Sequence, residues 1–254
     1  MCIYYDAHGV KHYIEEEFNI DPDQIEIEFP DTYKVAPTMP APVVFKDSDG
    51  RKIELFEFGM MPNWGKAEDK QKNQYRFFNA RDDKLLESGL WKPCFKSRRC
   101  IIPANGFYEP HKFHTEIEQP GGRKPSDSIP FYFHLKSRPV FGFAGIWDEW
   151  TNKETGEAIK SFSIITTSPN KIIKRIHNKK PRTPLILARE DYDFWLNDPN
   201  KPEDYFESGI FEPWPDDDME AWQVTKSLDY GGNGPELIEP VENPVDISEQ
   251  GNLF

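Results

Sequence analysis

The chain has 254 residues, enough for one large domain or two small ones with a real core, and 37% hydrophobic and 14% aromatic residues exclude a disordered chain. Three scattered cysteines, Cys2, Cys94 and Cys100, exclude a disulfide framework or a CxxC zinc cage and fit a reducing, cytosolic compartment. A net charge of −13 argues against a nucleic-acid binder on average. Its distribution argues otherwise. Residues 201–254 carry −12 of it, while 66–99 hold ten basic against five acidic side chains and 170–190 seven against one. A ligand meets these local patches, not the sum. No apolar run approaches the roughly 18 residues of a spanning helix, and no signal-peptide core is present, so a soluble intracellular protein is expected.

In chain order, Cys2 opens a segment whose Tyr13, Ile14, Phe18 and Ile20 form a loose apolar stripe opposite Glu15–Glu17, predicting a helix within residues 1–20 that Asp21-Pro22 stops. Short extended segments are expected at 25–29 and 43–45, around a Pro-rich loop at 35–42. Asp47-Ser-Asp-Gly50 is a hairpin signal before an alternating strand at 52–58. Residues 58–65 form a loop of large apolar groups including Trp64, either a buried anchor or a stacking platform for bases. A short helix is expected at 82–89, strands at 99–103, 129–135, 140–147 and 161–167, a loop or strand at 104–110 and a loop at 114–129. Further helices are expected at 170–176, at 189–196 and around 201–207, and tail-like composition after Gly231. The many short strands and few helices predict an α+β domain built on antiparallel sheet, with residues 1–200 as the domain and 201–254 as an acidic, partly tail-like extension.

Four polar residues stand out in apolar surroundings: Asn79 after Phe77-Phe78, Glu109 between Tyr108 and Pro110, Thr166 at a strand end, and His177 after Ile176. A carboxyl flanked by aromatics and proline is partly desolvated, which raises its pKa and suits it to proton transfer. Singly, each has a bland alternative: Glu109 as partner of an arginine, His177 as a capping or surface histidine, Asn79 as a turn or helix cap. Cys2 is the unusual residue. Once Met1 is removed it carries an amine and a thiol on adjacent carbons, a pair that can condense with an aldehyde to a thiazolidine; the alternative is an ordinary frayed terminus.

The ordered motifs Met1-Cys2, Val35-Ala-Pro37, Phe58-Gly-Met-Met-Pro-Asn-Trp64, Asn79-Ala-Arg81, Cys100-Ile-Ile-Pro-Ala-Asn-Gly-Phe-Tyr-Glu109, Phe141 to Trp147, Ile164-Ile-Thr-Thr167, and Ile176-His177 with Arg182-Thr-Pro-Leu-Ile-Leu187 resemble the SRAP (SOS-response-associated peptidase) family of HMCES-like and YedK-like DNA–protein crosslinking proteins. The resemblance spans residues 1–196. It implies an antiparallel β-barrel-like core with flanking helices, and a sensor that captures abasic sites in single-stranded DNA as a Cys2 thiazolidine. It implies catalytic roles for Cys2, Asn79, Glu109 and His177 without metal or organic cofactor. Arg81, Trp64, Pro37, Thr166 and Arg182 would bind DNA, and the protein would be a monomer that joins the nucleoid when DNA-bound. Departures are Ile3-Tyr4 where the family has Gly-Arg, Pro110 where an aromatic is common, and Arg182-Thr-Pro184 for Arg-Met-Pro. Competing readings are a cysteine-type (auto)peptidase and a non-covalent single-strand binding module.

Overall fold

Strand pairing organises the chain. The computed structural model describes residues 2–25, 27–114, 126–197, 201–226, 228 and 231–247. The chain runs through β1 (Tyr4–Asp6), α1 (Ile14–Phe18), β2 (Pro40–Asp47), β3 (Gly50–Phe58), α2 (Lys70–Gln74), β4 (Asn79–Arg81), α3 (Trp91–Ser97) and β5 (Arg99–Ala104). Then come β6 (Gly106–His114), β7 (Ser126–Leu135), β8 (Phe141–Thr151), β9 (Ala158–Thr167), α4 (Lys171–Ile176), β10 (Thr183–Pro184), β11 (Ile186–Leu187), α5 (Tyr192–Leu196), α6 (Pro202–Glu207) and β12 (Met219–Gln223).

Five strands close a barrel in the order β9-β3-β2-β5-β8, because β8 also pairs with β9. All its pairings are antiparallel except β3 with β9. Closure removes the unpaired edges of an open sheet. β10 and β11 extend the barrel, and β4 runs parallel to β9 with Asn79 opposite Ile164 and Arg81 opposite Thr166. A second, antiparallel sheet has the order β1-β6-β7-β12. Its inner face puts Tyr5 edge-on to Phe58 and Phe143, and Phe107 against Phe143, so the second sheet packs on the barrel through aromatic rings.

The α+β class expected from the sequence, and the barrel-like core with flanking helices that the resemblance implies, are the observed architecture. The turn at 47–50 joins β2 to β3: Asp47 accepts the Asp49 amide, and Gly50 takes a φ of 125° that side chains disfavour. Elsewhere the expected elements are corrected. Residues 1–20 are not one helix. Tyr4–Asp6 pair with Gly106–Tyr108, so the segment starts as a strand, and only a 3-10 turn (Val10–Tyr13) and the five-residue α1 are helical. No strand forms at 25–29 among the described residues. The helix expected at 82–89 is only a 3-10 turn at Asp82–Lys84; the full helix is α3, where Cys94 and Phe95 turn inward. Buried Arg99 holds α3 by donating to the carbonyls of Phe95 and Lys96, and reaches those of Trp195 and Asn197 at the end of α5. The loop expected at 114–129 overlaps β6 and β7 at its ends, and 115–125 lie outside the described residues. After Gly231 the composition suggests a tail, yet Leu237 is fully buried with Tyr108, Tyr132, Val224 and Leu228.

Candidate active site

The site lies where β1, β6 and the end of α4 meet. In β6, alternation sends Tyr108 to the outer cluster and Glu109 to the opposite face, opposite Phe131 in register. Glu109 is 1% exposed. β1 pairs Tyr4 with Tyr108, which leads the chain start back towards Glu109. Cys2 is fully buried, and its Sγ donates to the Tyr4 carbonyl at 3.2 Å. Burial pushes the thiol pKa well above its ordinary value, and the negative charge of Glu109 pushes it further. The resting thiol is therefore neutral.

His177 comes from the other side. Asn170 caps α4 through the Ile173 amide, and the helix ends when the His177 amide donates to the Ile173 carbonyl. This sets Nδ1 of His177 3.2 Å from Oε2 of Glu109, with both residues buried. Desolvation works on the two groups in opposite directions. It raises the Glu109 carboxyl to about 7 and lowers the His177 imidazole to about 4. At neutral pH the imidazole is neutral and the carboxyl is poised between its two forms, the condition for general acid–base work.

The other expected residues fall into two groups. Asn79 starts β4, is buried, and donates from Nδ2 to the Phe78 carbonyl at 3.3 Å; its Oδ1 has no hydrogen-bond partner among the described residues. Along the same strand pair, Thr166 accepts from Arg182 Nε at 3.1 Å, and Arg182 also binds the Thr166 carbonyl and the Asp82 carboxylate. Arg81 is exposed and held by Asp83 through contacts of 2.9 and 2.6 Å. Two arginines of the basic patches thus already face carboxylates. Trp64 stands apart, 63% exposed and edge-on to Phe77, beside a cavity of about 430 Å³ lined also by Lys66, Trp150 and Lys153. Pro37 is buried, not displayed, and precedes Thr38 at a strained φ of 84°.

Sequence reading missed His111, Lys112 and Asn178, which join β6 to the His177 loop. His111 Nδ1 bonds the Ile176 carbonyl at 2.8 Å, and the Asn178 side chain bonds both backbone groups of Lys112. Asn178 directly follows His177 in the chain, but no spacing signals a bond to a residue 66 positions away. Among the described residues, no group of three or more His, Cys, Asp and Glu is placed to hold a metal ion, and no helix is long and apolar enough to cross a membrane.

Fold and site together define a class: a β-barrel protein with a buried glutamate–histidine pair whose glutamate acts on a buried Cys2. The model of the SOS response associated peptidase (SRAP) family matches residues 1–230, and the chain belongs to that family. It is similar to the abasic site processing protein YoqW of Bacillus subtilis (strain 168), with 36% identity over 89% of this chain and 93% of that protein. YoaM, an abasic site processing protein of the same organism, is 31% identical over 96% of this chain and 99% of its own length. Among solved structures, a Bacteroides thetaiotaomicron protein aligns with a TM-score of 0.76 and 26% identity, covering 94% of this chain and all of that one.

Proposed function

We propose that this protein captures abasic sites in single-stranded DNA covalently, through Cys2 after loss of Met1. The observation that carries the reading is the buried Glu109–His177 pair, 3.2 Å apart, set against a buried cysteine at the second position of the chain. The names of the relatives, abasic site processing proteins, support the substrate.

The order of steps follows from the protonation states. The neutral thiol leaves the α-amine as the first nucleophile. The amine adds to the aldehyde carbon of the ring-opened deoxyribose, and the resulting carbinolamine loses water to give a Schiff base. Glu109, with its pKa raised to about 7, delivers the proton that the departing hydroxide needs. The thiol sulfur then adds to the imine carbon while its proton passes to the imine nitrogen. A thiazolidine and one water result from one cysteine and one aldehyde. Neutral His177 beside Glu109 serves as the second proton acceptor, in opening the sugar ring and in reversal. Asn79, through its free Oδ1, would hold the N-terminal amine and the sugar. Arg81 and Arg182 would take phosphates, Thr166 would support Arg182, and exposed Trp64 would stack on a base.

The test is incubation of the protein, its Met1 shown absent by mass spectrometry, with an oligonucleotide carrying one abasic site, followed by a denaturing gel beside Cys2→Ala. A shifted band from wild type and none from Cys2→Ala is the expected result. Binding on a native gel with no covalent band would sink the reading in favour of a binding module, and cleavage of a peptide substrate would favour a peptidase.

A further inference from the structure

We infer that Asn178 is a positioning residue that fixes His177 on Glu109 by standing in for a missing stretch of β-strand; the inference deepens the proposed active site. The pairing of β1 with β6 spans Gly106–Tyr108, so among the described residues the edge of β6 beyond Tyr108 is left without β1. The Asn178 side chain takes that place at Lys112. Its Oδ1 accepts the Lys112 amide at 3.0 Å and its Nδ2 donates to the Lys112 carbonyl at 2.7 Å, the two bonds that a neighbouring strand would make. One residue before His177, the Ile176 carbonyl meets His111 Nδ1 at 2.8 Å. The residues on either side of His177 are therefore each tied to successive residues of β6, 111 and 112, and Glu109 lies on the same strand. The contact of 3.2 Å between His177 and Glu109 is thereby set by a rigid frame instead of by the loop alone.

The arrangement carries a consequence for chemistry. The loop after His177 leaves the helical path: Lys180 sits in the left-handed region, and Pro181 bars further helix. Besides burial, the groups acting on the His177 ring are the N-terminal amine, the Arg182 backbone on the chain's own side, and Lys112 of β6, with Glu109 in contact and His111 next to them. Loosening the clamp would let water reach the ring and separate it from Glu109, so the ring would regain more ordinary titration.

The experiment uses the full chain with Met1 removed and ¹⁵N-labelled histidine, without DNA. The His177 ring is assigned by its loss in His177→Asn and titrated in wild type, Asn178→Ala and Asn178→Gln. The Gln variant keeps the amide but lengthens it by one methylene, and guards against a misfolded Ala variant. The ring is expected to titrate about one unit higher in Asn178→Ala and part of the way there in Asn178→Gln. Crosslinking rates, followed over the same pH range, are expected to show their acid limb displaced upward in the variants while single-strand affinity stays within twofold. An unmoved His177 titration in a folded variant, or a rate lowered equally at every pH, would overturn the inference. If wild type forms no crosslink, the functional reading fails, and the NMR arm still decides the role of Asn178.

Discussion

Two buried glutamates of this protein have opposite surroundings. Glu17, at 4% exposure in α1, meets the guanidinium of Arg138 at 3.0 Å, that of Arg189, and the Tyr192 hydroxyl at 2.7 Å. Glu109 is as deeply buried but meets a neutral imidazole, and burial keeps its carboxyl near neutrality. The Glu17 network joins α1 to residues 138, 189 and 192, with opposite charge and hydrogen bonds for the carboxylate on all sides. Such a group holds the fold together. Among the described residues no guanidinium is paired with Glu109, and desolvation is the largest influence on its carboxyl, outweighing the N-terminal amine and Lys112 that favour the charged form. A carboxyl kept in that state is suited to proton transfer, the role proposed for it.

Removing each glutamate in turn should separate the two roles. Glu109→Gln keeps shape and hydrogen-bonding capacity but cannot transfer a proton, so crosslinking should slow by about 10²–10⁴-fold. Its melting temperature at neutral pH should not fall, because the amide removes a group that is costly to ionise. A time course on denaturing gels, with a thermal melt, decides this. An unchanged rate with a lowered melting temperature would place Glu109 with Glu17 as a structural residue. Glu17→Ala should do the reverse and cost about 3–5 kcal/mol, since Arg138 would be left half-buried without its counter-charge. Denaturant unfolding measures that loss, and the crosslinking rate per folded molecule should be unchanged.

The pair also predicts how stability varies with pH. Glu109 has a folded pKa raised from 4.5 to about 7, so its contribution is complete below pH 4.5 and is lost as pH rises through 7. His177 has a folded pKa lowered from 6.5 to about 4, so its contribution is present above pH 6.5 and is lost as pH falls through 4. Each amounts to roughly 3 kcal/mol, at about 1.4 kcal/mol per unit. Between pH 4.5 and 6.5 the two slopes oppose and nearly cancel. Single variants should expose them: Glu109→Gln should gain stability with rising pH over this window relative to wild type, and His177→Gln should lose it. Chemical denaturation at a series of pH values reads both slopes, and parallel curves for the three proteins would refute the coupling.

How much of this could be read in the sequence depends on how local each cause is. The hairpin at 47–50 was legible because an Asp and a Gly dictate its turn within four residues, and α4 because Asn170 caps an apolar run. Strand β1 was not. Tyr4–Asp6 is too short to show alternation, and it is a strand because β6 and Val35 offer it distant backbone partners. Helix α3 was hidden by Pro93 and by its basic neighbours, and its main support, Arg99, bonds carbonyls from two separate segments. Strand β12 lies in acidic sequence and is defined by pairing with β7. In the site, the aromatic flanks of Glu109 announced its desolvation, but its meeting with His177 depends on Asn178 and His111 reaching across some 65 residues. Family resemblance put these residues on one page; the clamp that joins them had no sequence signature.

The smallest expected effect concerns the contrast between exposed and shielded charge on β4 and beside it. Arg182 is tied down by Asp82 and Thr166 and is half-buried, whereas Arg81 is bonded to Asp83 in solvent. An exposed pair of this kind contributes about 0.2–1 kcal/mol, so stability should move by no more than about 1 kcal/mol when it is broken. For a DNA phosphate, however, Asp83 is both a competitor for the guanidinium and a repelling charge. Asp83→Asn should therefore raise single-strand affinity at low salt by about two- to threefold and steepen the salt dependence by up to about one counterion, while Arg81→Ala should flatten it by about one. Fluorescence anisotropy across a salt series measures both slopes. If neither substitution changes the slope, the strand does not pass over the end of β4. The phosphate contacts must then come from other cations of the two basic patches.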